Sequence, residues 1–400
     1  MEKKAIRDGF ITFRETNRLI ITAVKYLTNN KRKTMKNIIK TVIVMLTSIS
    51  LFTSAHAGSL GVSGTAKATY NIQSGDDRHI GKGLGITNEL NFTASGELDN
   101  GYTWSYSMEL DPTDAASNGV ATNDDTKMTL TTPMGTVGVF ISEGGLDLED
   151  GASQSVYARP TDIGDPSGTS DNFTIDSYNN VQFHTPGDLL PFGITAKIAY
   201  APDLDNTINS GNAAGGAKVE GGSAFAGKSA TEYQVKANPI DGLNIGASYM
   251  KFDDGGIKAG NDQEAEGGAY MATYAQGPFS VGYSKAYKAP QLAGTIANSA
   301  TGGAGDATSN TTGVEHYIQS NASIAYAASD DLSISYEVEK SEANYAVASR
   351  VAVEQESSAV QVAYTMGGMT IAVSHGSYDN NGYKAGITAD QTLLAVSMAF

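Results

Sequence analysis

The chain runs to 400 residues, with 45 glycines, 20 tyrosines against 12 phenylalanines, 10 prolines and no cysteine. The missing cysteine excludes thiol catalysis, zinc–cysteine sites and a disulfide framework, and the surplus of strand-favouring tyrosine and turn-supplying glycine suits many strands and turns better than packed helices. Charge is unevenly placed: residues 1–57 hold 11 of the 27 Lys and Arg but three of the 43 acids, leaving 16 bases against 40 acids over 58–400, a net −24. That balance disfavours nucleic acid as a partner, since phosphate demands a basic surface.

Residues 1–34 are basic and show no strong strand pattern, so they read as an upstream extension with the natural start at Met35. From Met35 the order is that of a secretory signal peptide spanning 35–57. Lys36 and Lys40 precede an apolar run through Ile43, Val44, Leu46, Ile49, Leu51 and Phe52, and Ala55-His56-Ala57 supplies small residues for cleavage before Gly58. The run falls short of the roughly 20 residues that a membrane-spanning helix requires.

Beyond Gly58 the pattern is a period of two. Leu243, Ile245, Ala247 and Tyr249 alternate with Asn244, Gly246 and Ser248. Leu332, Ile334, Tyr336 and Val338 alternate with Ser333, Ser335, Glu337 and Glu339, and Leu394, Val396, Met398 and Phe400 with Ala395, Ser397 and Ala399. Successive strand side chains point to opposite faces, so each segment has one apolar and one polar face. Seven short links (98–102, 132–136, 185–192, 238–243, 276–279, 328–332 and 366–369) alternate with eight longer polar stretches (74–84, 111–125, 144–177, 203–229, 253–265, 289–313, 343–353 and 379–388). This predicts sixteen strands with both chain ends on the short-turn side. The fold class is all-β: a transmembrane antiparallel barrel of the outer-membrane kind, with short periplasmic turns and long external loops over residues 58–400. In hydrocarbon every backbone N–H and C=O must be paired internally, and a sheet achieves this only by closing. Tyr70, Tyr102, Tyr106, Phe192, Tyr200, Phe279, Tyr287, Tyr326, Tyr364 and Phe400 fall near strand ends, where amphipathic rings favour the headgroup boundary.

With the signal peptide, the opening Gly61-Val62-Ser63-Gly64-Thr65-Ala66-Lys67, the segment Asn179-Asn180-Val181-Gln182-Phe183 after the third long loop and the terminal Phe400, residues 58–400 resemble the Gram-negative general porins. The resemblance implies a water-filled channel in the cell outer membrane for passive diffusion of small hydrophilic solutes and ions, a homotrimer, and a third loop folded into the barrel. It also implies Phe400 as an assembly signal read by the barrel-assembly machinery, with outer-membrane lipid and lipopolysaccharide as surroundings. Loop 144–177 carries Asp147, Glu149, Asp150, Asp162, Asp165, Asp171 and Asp176 against one base, Arg159, and acids held in a low-dielectric-walled pore concentrate cations. The competing reading is a solvated external acidic loop. Strand parity turns Lys67, Lys127 and Lys197 toward the lumen together with Glu89 and Glu97, and Arg159 joins them as a lumen candidate. The family commonly sets a basic wall opposite the acidic loop, whereas this chain has only Arg78, Arg159 and Arg350 after residue 57.

Other chemistry finds little support. The acidic groups Asp76-Asp77, Asp124-Asp125, Asp253-Asp254 and Asp147 with Glu149 and Asp150 suit weakly bound Ca2+ by donor type, without an EF-hand spacing; otherwise no cofactor is expected. His375 near Ser374 and Ser377, and His184 near Gln182, belong to no catalytic motif, and the glycine pairs lie in loops without the strand–helix setting of a phosphate site. An enzyme is therefore not expected. A solute-specific channel, an adhesin or structural anchor, and an exported soluble β-protein remain the alternatives.

Overall fold

The structure, a computed structural model, describes residues 58–76, 81–112, 121–163, 171–202, 204, 229–253, 265–290, 314–345 and 351–400. The expected extension 1–34, the signal peptide 35–57 and Asp165 lie outside the described residues, as do Arg78 and Arg350.

Sixteen strands form from the alternating segments: β1 (Ser59–Gly75), β2 (Lys82–Glu97), β3 (Thr103–Pro112), β4 (Ala121–Thr132), β5 (Gly135–Ile141), β6 (Asn180–His184), β7 (Thr195–Ala201), β8 (Ser229–Ile240), β9 (Leu243–Asp253), β10 (Glu266–Gln276), β11 (Phe279–Ala289), β12 (Val314–Ala327), β13 (Leu332–Tyr345), β14 (Val353–Met366), β15 (Met369–Asp379) and β16 (Thr388–Ala399). Each pairs antiparallel with its neighbours in the chain, and β1 pairs with β16, so the sheet closes on itself and leaves no edge. The connections alternate in length around the barrel as expected. The third long one extends beyond its predicted bounds, because β5 stops at Ile141 and β6 begins only at Asn180.

Closure is completed by the last residue. Gly64 N–H donates to Phe400 O at 2.8 Å, and Phe400 N–H donates to Gly64 O at 3.0 Å. The Phe400 ring lies close to the site a Gly64 side chain would occupy, 2.8 Å from an added Cβ.

The two faces follow the period of two. On the outside, Leu60, Val62, Tyr70 and Ile72 of β1, Tyr283 and Tyr287 of β11, and Val360, Val362 and Tyr364 of β14 are exposed. Such a belt of bare apolar side chains is stable only against hydrocarbon. Inside, Ser284, Asn321, Ser335, Glu337, Ser341, Gln355, Ser357 and Gln361 are buried beside many alanines. Polar side chains thus take the place of a dry core, and the third connection packs against them.

Candidate functional site

The third connection, described over residues 142–163 and 171–179, turns inward as it leaves β5. Ser142 (φ 53°) and Gly144 (φ 85°) both adopt the left-handed region, which reverses the chain within three residues. Its two ends are tied by β6. Asn180 Nδ2 donates to Glu143 O (3.1 Å), Ile175 O (3.3 Å) and Tyr178 O (3.0 Å), while Gln182 Nε2 donates to Gly144 O. The Asn-Val-Gln alternation of β6 thus supplies two lumen-facing amides to a backbone that would otherwise lack partners.

From there the connection runs along the inner wall. Leu146 and Ile175 pack with Ala199, Ala201, Ala230 and Met250. Leu148 and Ala152 meet Ala269, Met271 and Ala286, and Ile163 meets Ala359, Ala363, Ala372, Leu393 and Ala395. The wall carries small residues where the backbone passes: a Cβ on Gly282 would collide with the Ala152 carbonyl, and one on Gly246 would come within 2.7 Å of Leu148.

Wall side chains also hold the connection through hydrogen bonds. Gln234 Nε2 donates to Leu146 O at 2.8 Å, Ser284 Oγ to Glu149 O at 2.9 Å and Gln391 Nε2 to Ile163 O at 2.9 Å. Carboxylates accept in the other direction: Glu232 from Ile175 N–H at 2.8 Å, Glu337 from the Ser153 and Ser155 hydroxyls, and Glu339 from Thr161 N–H and Oγ. These acceptors are almost fully buried.

Arg159 lies between connection and wall with its side chain 10% exposed. It is ion-paired with Asp150, with Asp162 at 2.7 Å, and with Asp171 and Glu339 at 3.5 Å each. Burial alone lowers its pKa, yet the surrounding carboxylates, Asp150 first, more than reverse that and hold the guanidinium charged. The side chains of Asp150, Asp162 and Asp171 remain about half exposed. Glu149 is buried, with Oε1 accepting from Asn172 N–H at 2.7 Å. Burial, then the charges of Asp147 and Asp150, push its carboxyl up to about 8. Burial likewise raises Asp147, which is partly buried. Asp147, Glu149 and Asp150 bring carboxylate oxygens within 4.8 Å of one another, a donor set of the type that Ca2+ accepts.

Strand register places Lys67, Glu89, Glu97, Lys127 and Lys197 on the inner face: Lys67 opposes Ser397, Glu89 opposes Thr65, Glu97 opposes Thr103, Lys127 opposes Ser107 and Lys197 opposes His184. Lys127 pairs with Glu143 at the start of the connection. Lys67 Nζ sits 5.7 Å from the centre of the Tyr157 ring, and Asn91 donates to Glu89 at 2.6 Å. Arg159 therefore sits behind the connection, whereas Lys67 and Lys127 belong to the wall formed by β1–β4. Asp176 is half-buried near the connection's end. Sequence reasoning missed Glu232, Gln234, Gln391 and Gln361, which accepts from Tyr157 N–H at 3.0 Å, as the wall's grips, and it read Glu337 and Glu339 only as a polar face. Their signal was a long, hydrogen-bonding side chain at mid-strand on that polar face.

A profile of Gram-negative porins matches residues 42–400. No curated protein matches the chain in sequence. Among solved structures, it is similar to Salmonella typhi OmpF in complex with daunomycin (12% identity, 87% of this chain and 100% of that one, TM-score 0.60). It is also similar to in-vitro folded OmpT, an outer membrane protein of Vibrio cholerae (11%, 88% and 100%, 0.55), and to a mutant porin of Rh. blastica (14%, 86% and 100%, 0.52). At these identities the structural likeness concerns the fold.

Proposed function

The chain belongs to the Gram-negative porin family, a channel of the outer membrane, and on that premise we propose a pore for passive diffusion of small hydrophilic solutes that prefers cations. The observation that carries the preference is the asymmetry of the third connection. Its one described base, Arg159, is buried behind it, while Asp150, Asp162 and Asp171 keep about half of their side-chain surface open. Carboxylates in a narrow, low-dielectric-walled passage raise the local cation concentration and repel anions. Transport needs no covalent step: solutes pass down their gradient, limited in size by the connection and sorted by its charge.

Planar-bilayer recording across a KCl gradient tests this. The wild-type reversal potential is expected on the cation-selective side, and the combined Asp150→Asn, Asp162→Asn and Asp171→Asn variant is expected nearer zero. A wild-type potential on the anion-selective side refutes the preference.

The working assembly in this reading is a homotrimer, set in outer-membrane lipid and lipopolysaccharide after insertion by the barrel-assembly machinery. The trimer form recorded for Vibrio cholerae OmpT supports it; cross-linking and native mass measurement in detergent test it. Export is accompanied by cleavage before Gly58, and N-terminal sequencing of the mature protein is expected to start there. Ca2+ is at most a weak, accessory ligand of the Asp147, Glu149 and Asp150 group.

A further inference from the structure

A second charged feature of the lumen lies on the other side of the acidic connection, toward the short-turn rim. Lys197 is the third residue of β7 after the turn from β6, and it stands directly opposite His184, the last residue of β6. On its other flank Lys197 opposes Gln234 of β8; Lys236, two residues further along the same face, opposes Thr195. Directly opposed side chains start about 4.5–5.5 Å apart at Cβ, and diagonal ones about 7–8 Å apart. Two ammonium groups on flexible four-carbon stems therefore reach a common point above one patch of wall.

The surroundings leave these charges uncompensated. Among the described residues, neither Lys197 nor Lys236 takes part in the ion pairs formed by Lys127, Arg159, His316 and Lys340. The carboxylate closest in register, Glu232, opposes Ala199, is buried and accepts from Ile175 N–H. Both lysines are only partly buried. The patch also holds Thr195 and, on the His184 flank, Thr136. His184 completes the patch with its ring tilted against Phe140 at 6.0 Å and Nε2 sharing a hydrogen bond with Gln182 Oε1 at 2.7 Å. Gln234, which opposes Lys197 directly, donates to Leu146 O of the connection, so the strip starts at the connection's grip on the wall and extends from there toward the short turns.

We infer that Lys197 and Lys236 form a docking strip for small tetrahedral oxyanions, inorganic phosphate and phosphate monoesters, on the periplasmic side of the acidic constriction. Two converging ammonium groups with neighbouring hydroxyls match three or four acceptor oxygens around one centre. The charge order along the pore then has a direction. An oxyanion entering from the periplasm meets the lysines first, whereas one entering from outside must first pass Asp150, Asp162 and Asp171. The strip rests on the channel reading but not on the cation preference.

Single-channel recording in KCl tests it, with inorganic phosphate added to one side at a time. Insertion orientation is read from an Asp330→Cys reporter in a short turn, modified by a bulky membrane-impermeant reagent. Phosphate on the short-turn side is expected to reduce or flicker the current at a several-fold lower concentration than phosphate on the long-loop side. The difference is expected to vanish in Lys197→Gln/Lys236→Gln and to persist in Lys197→Arg/Lys236→Arg. Equal block from both sides in the wild type, or a side difference that survives in the double glutamine variant, overturns the strip. The KCl-gradient reversal potential separately reports the cation preference, so the two readings fail distinguishably.

Discussion

Thr161 and Glu339 fasten the far end of the third connection to β13: the Thr161 N–H and hydroxyl both end on one oxygen of Glu339, at 2.9 and 2.7 Å. Both residues are buried, so neither donor has water in reserve. Glu339→Ala leaves two buried donors unsatisfied and is expected to cost about 1–3 kcal/mol, while Glu339→Gln keeps an acceptor and is expected to cost less. The measurement is the temperature at which the detergent-solubilised barrel loses its compact electrophoretic form, together with current noise, which rises as the connection loosens. Equal midpoints for the alanine variant and the wild type count against the grip.

Arg159 is the counter-charge for the same seam. Truncating one partner of a fully buried pair costs about 3–5 kcal/mol, but Asp150, Asp162 and Asp171 are about half exposed and solvent screens them. Arg159→Met is therefore expected to cost less, about 1–3 kcal/mol, with most of the loss arising at buried Glu339. Adding Glu339→Gln to Arg159→Met should recover part of it, because that carboxylate no longer needs a cation. A double-mutant cycle on the thermal midpoint measures the coupling, and strict additivity would show that the 3.5 Å contact contributes nothing.

Glu149 gives the connection a pH dependence. Its folded pKa is raised to about 8, by burial first and then by Asp147 and Asp150. The folded protein therefore holds this proton more tightly than the unfolded chain does. The stabilisation linked to it is fully present below the ordinary glutamate range near 4.5 and is lost as pH rises through about 8. Glu149→Gln mimics the protonated form. Between pH 5 and about 9 the wild type should lose stability relative to this variant. Thermal midpoints that run parallel in pH for both proteins would dismiss the effect. Asp147 is raised in the same direction, so the titration belongs to the pair.

The barrel was legible because its signal repeats. A period of two at Leu332–Glu339 fixes which face each side chain takes, and sixteen such segments with alternating connection lengths leave little room for another topology. The connection's acids were legible as composition, but their directions were not. Nothing local distinguishes Glu149, buried against Asn172 of the same connection, from Asp150, left open, because a loop has no fixed period. The direction of Arg159 was illegible for the same reason: its partners Asp150, Asp162 and Asp171 sit in the same aperiodic loop, and Glu339 belongs to β13, far away in sequence. The wall's accommodation of the connection was written in the chain as glycine and alanine on polar-parity positions such as Gly282, Ala286 and Ala359. On a strand these read as weak pattern rather than as clearance for a backbone packed against them.

The seam makes the last prediction. A Cβ on Gly64 would stand 2.8 Å from both the Glu89 carbonyl oxygen and the Phe400 ring. The ring can swing toward lipid, but the carbonyl belongs to the β1–β2 ladder and cannot yield without breaking register. Gly64→Val is therefore expected to destabilise the barrel by about 1–3 kcal/mol, seen as a smaller heat-modifiable fraction. Phe400→Ala separates closure from assembly. It keeps both backbone hydrogen bonds to Gly64 and removes only an exposed ring, so refolding in detergent is expected to proceed nearly as in the wild type, while insertion in cells falls. If refolding and cellular insertion fall together, the ring's role is closure of the seam; if neither falls, Phe400 contributes through its backbone alone.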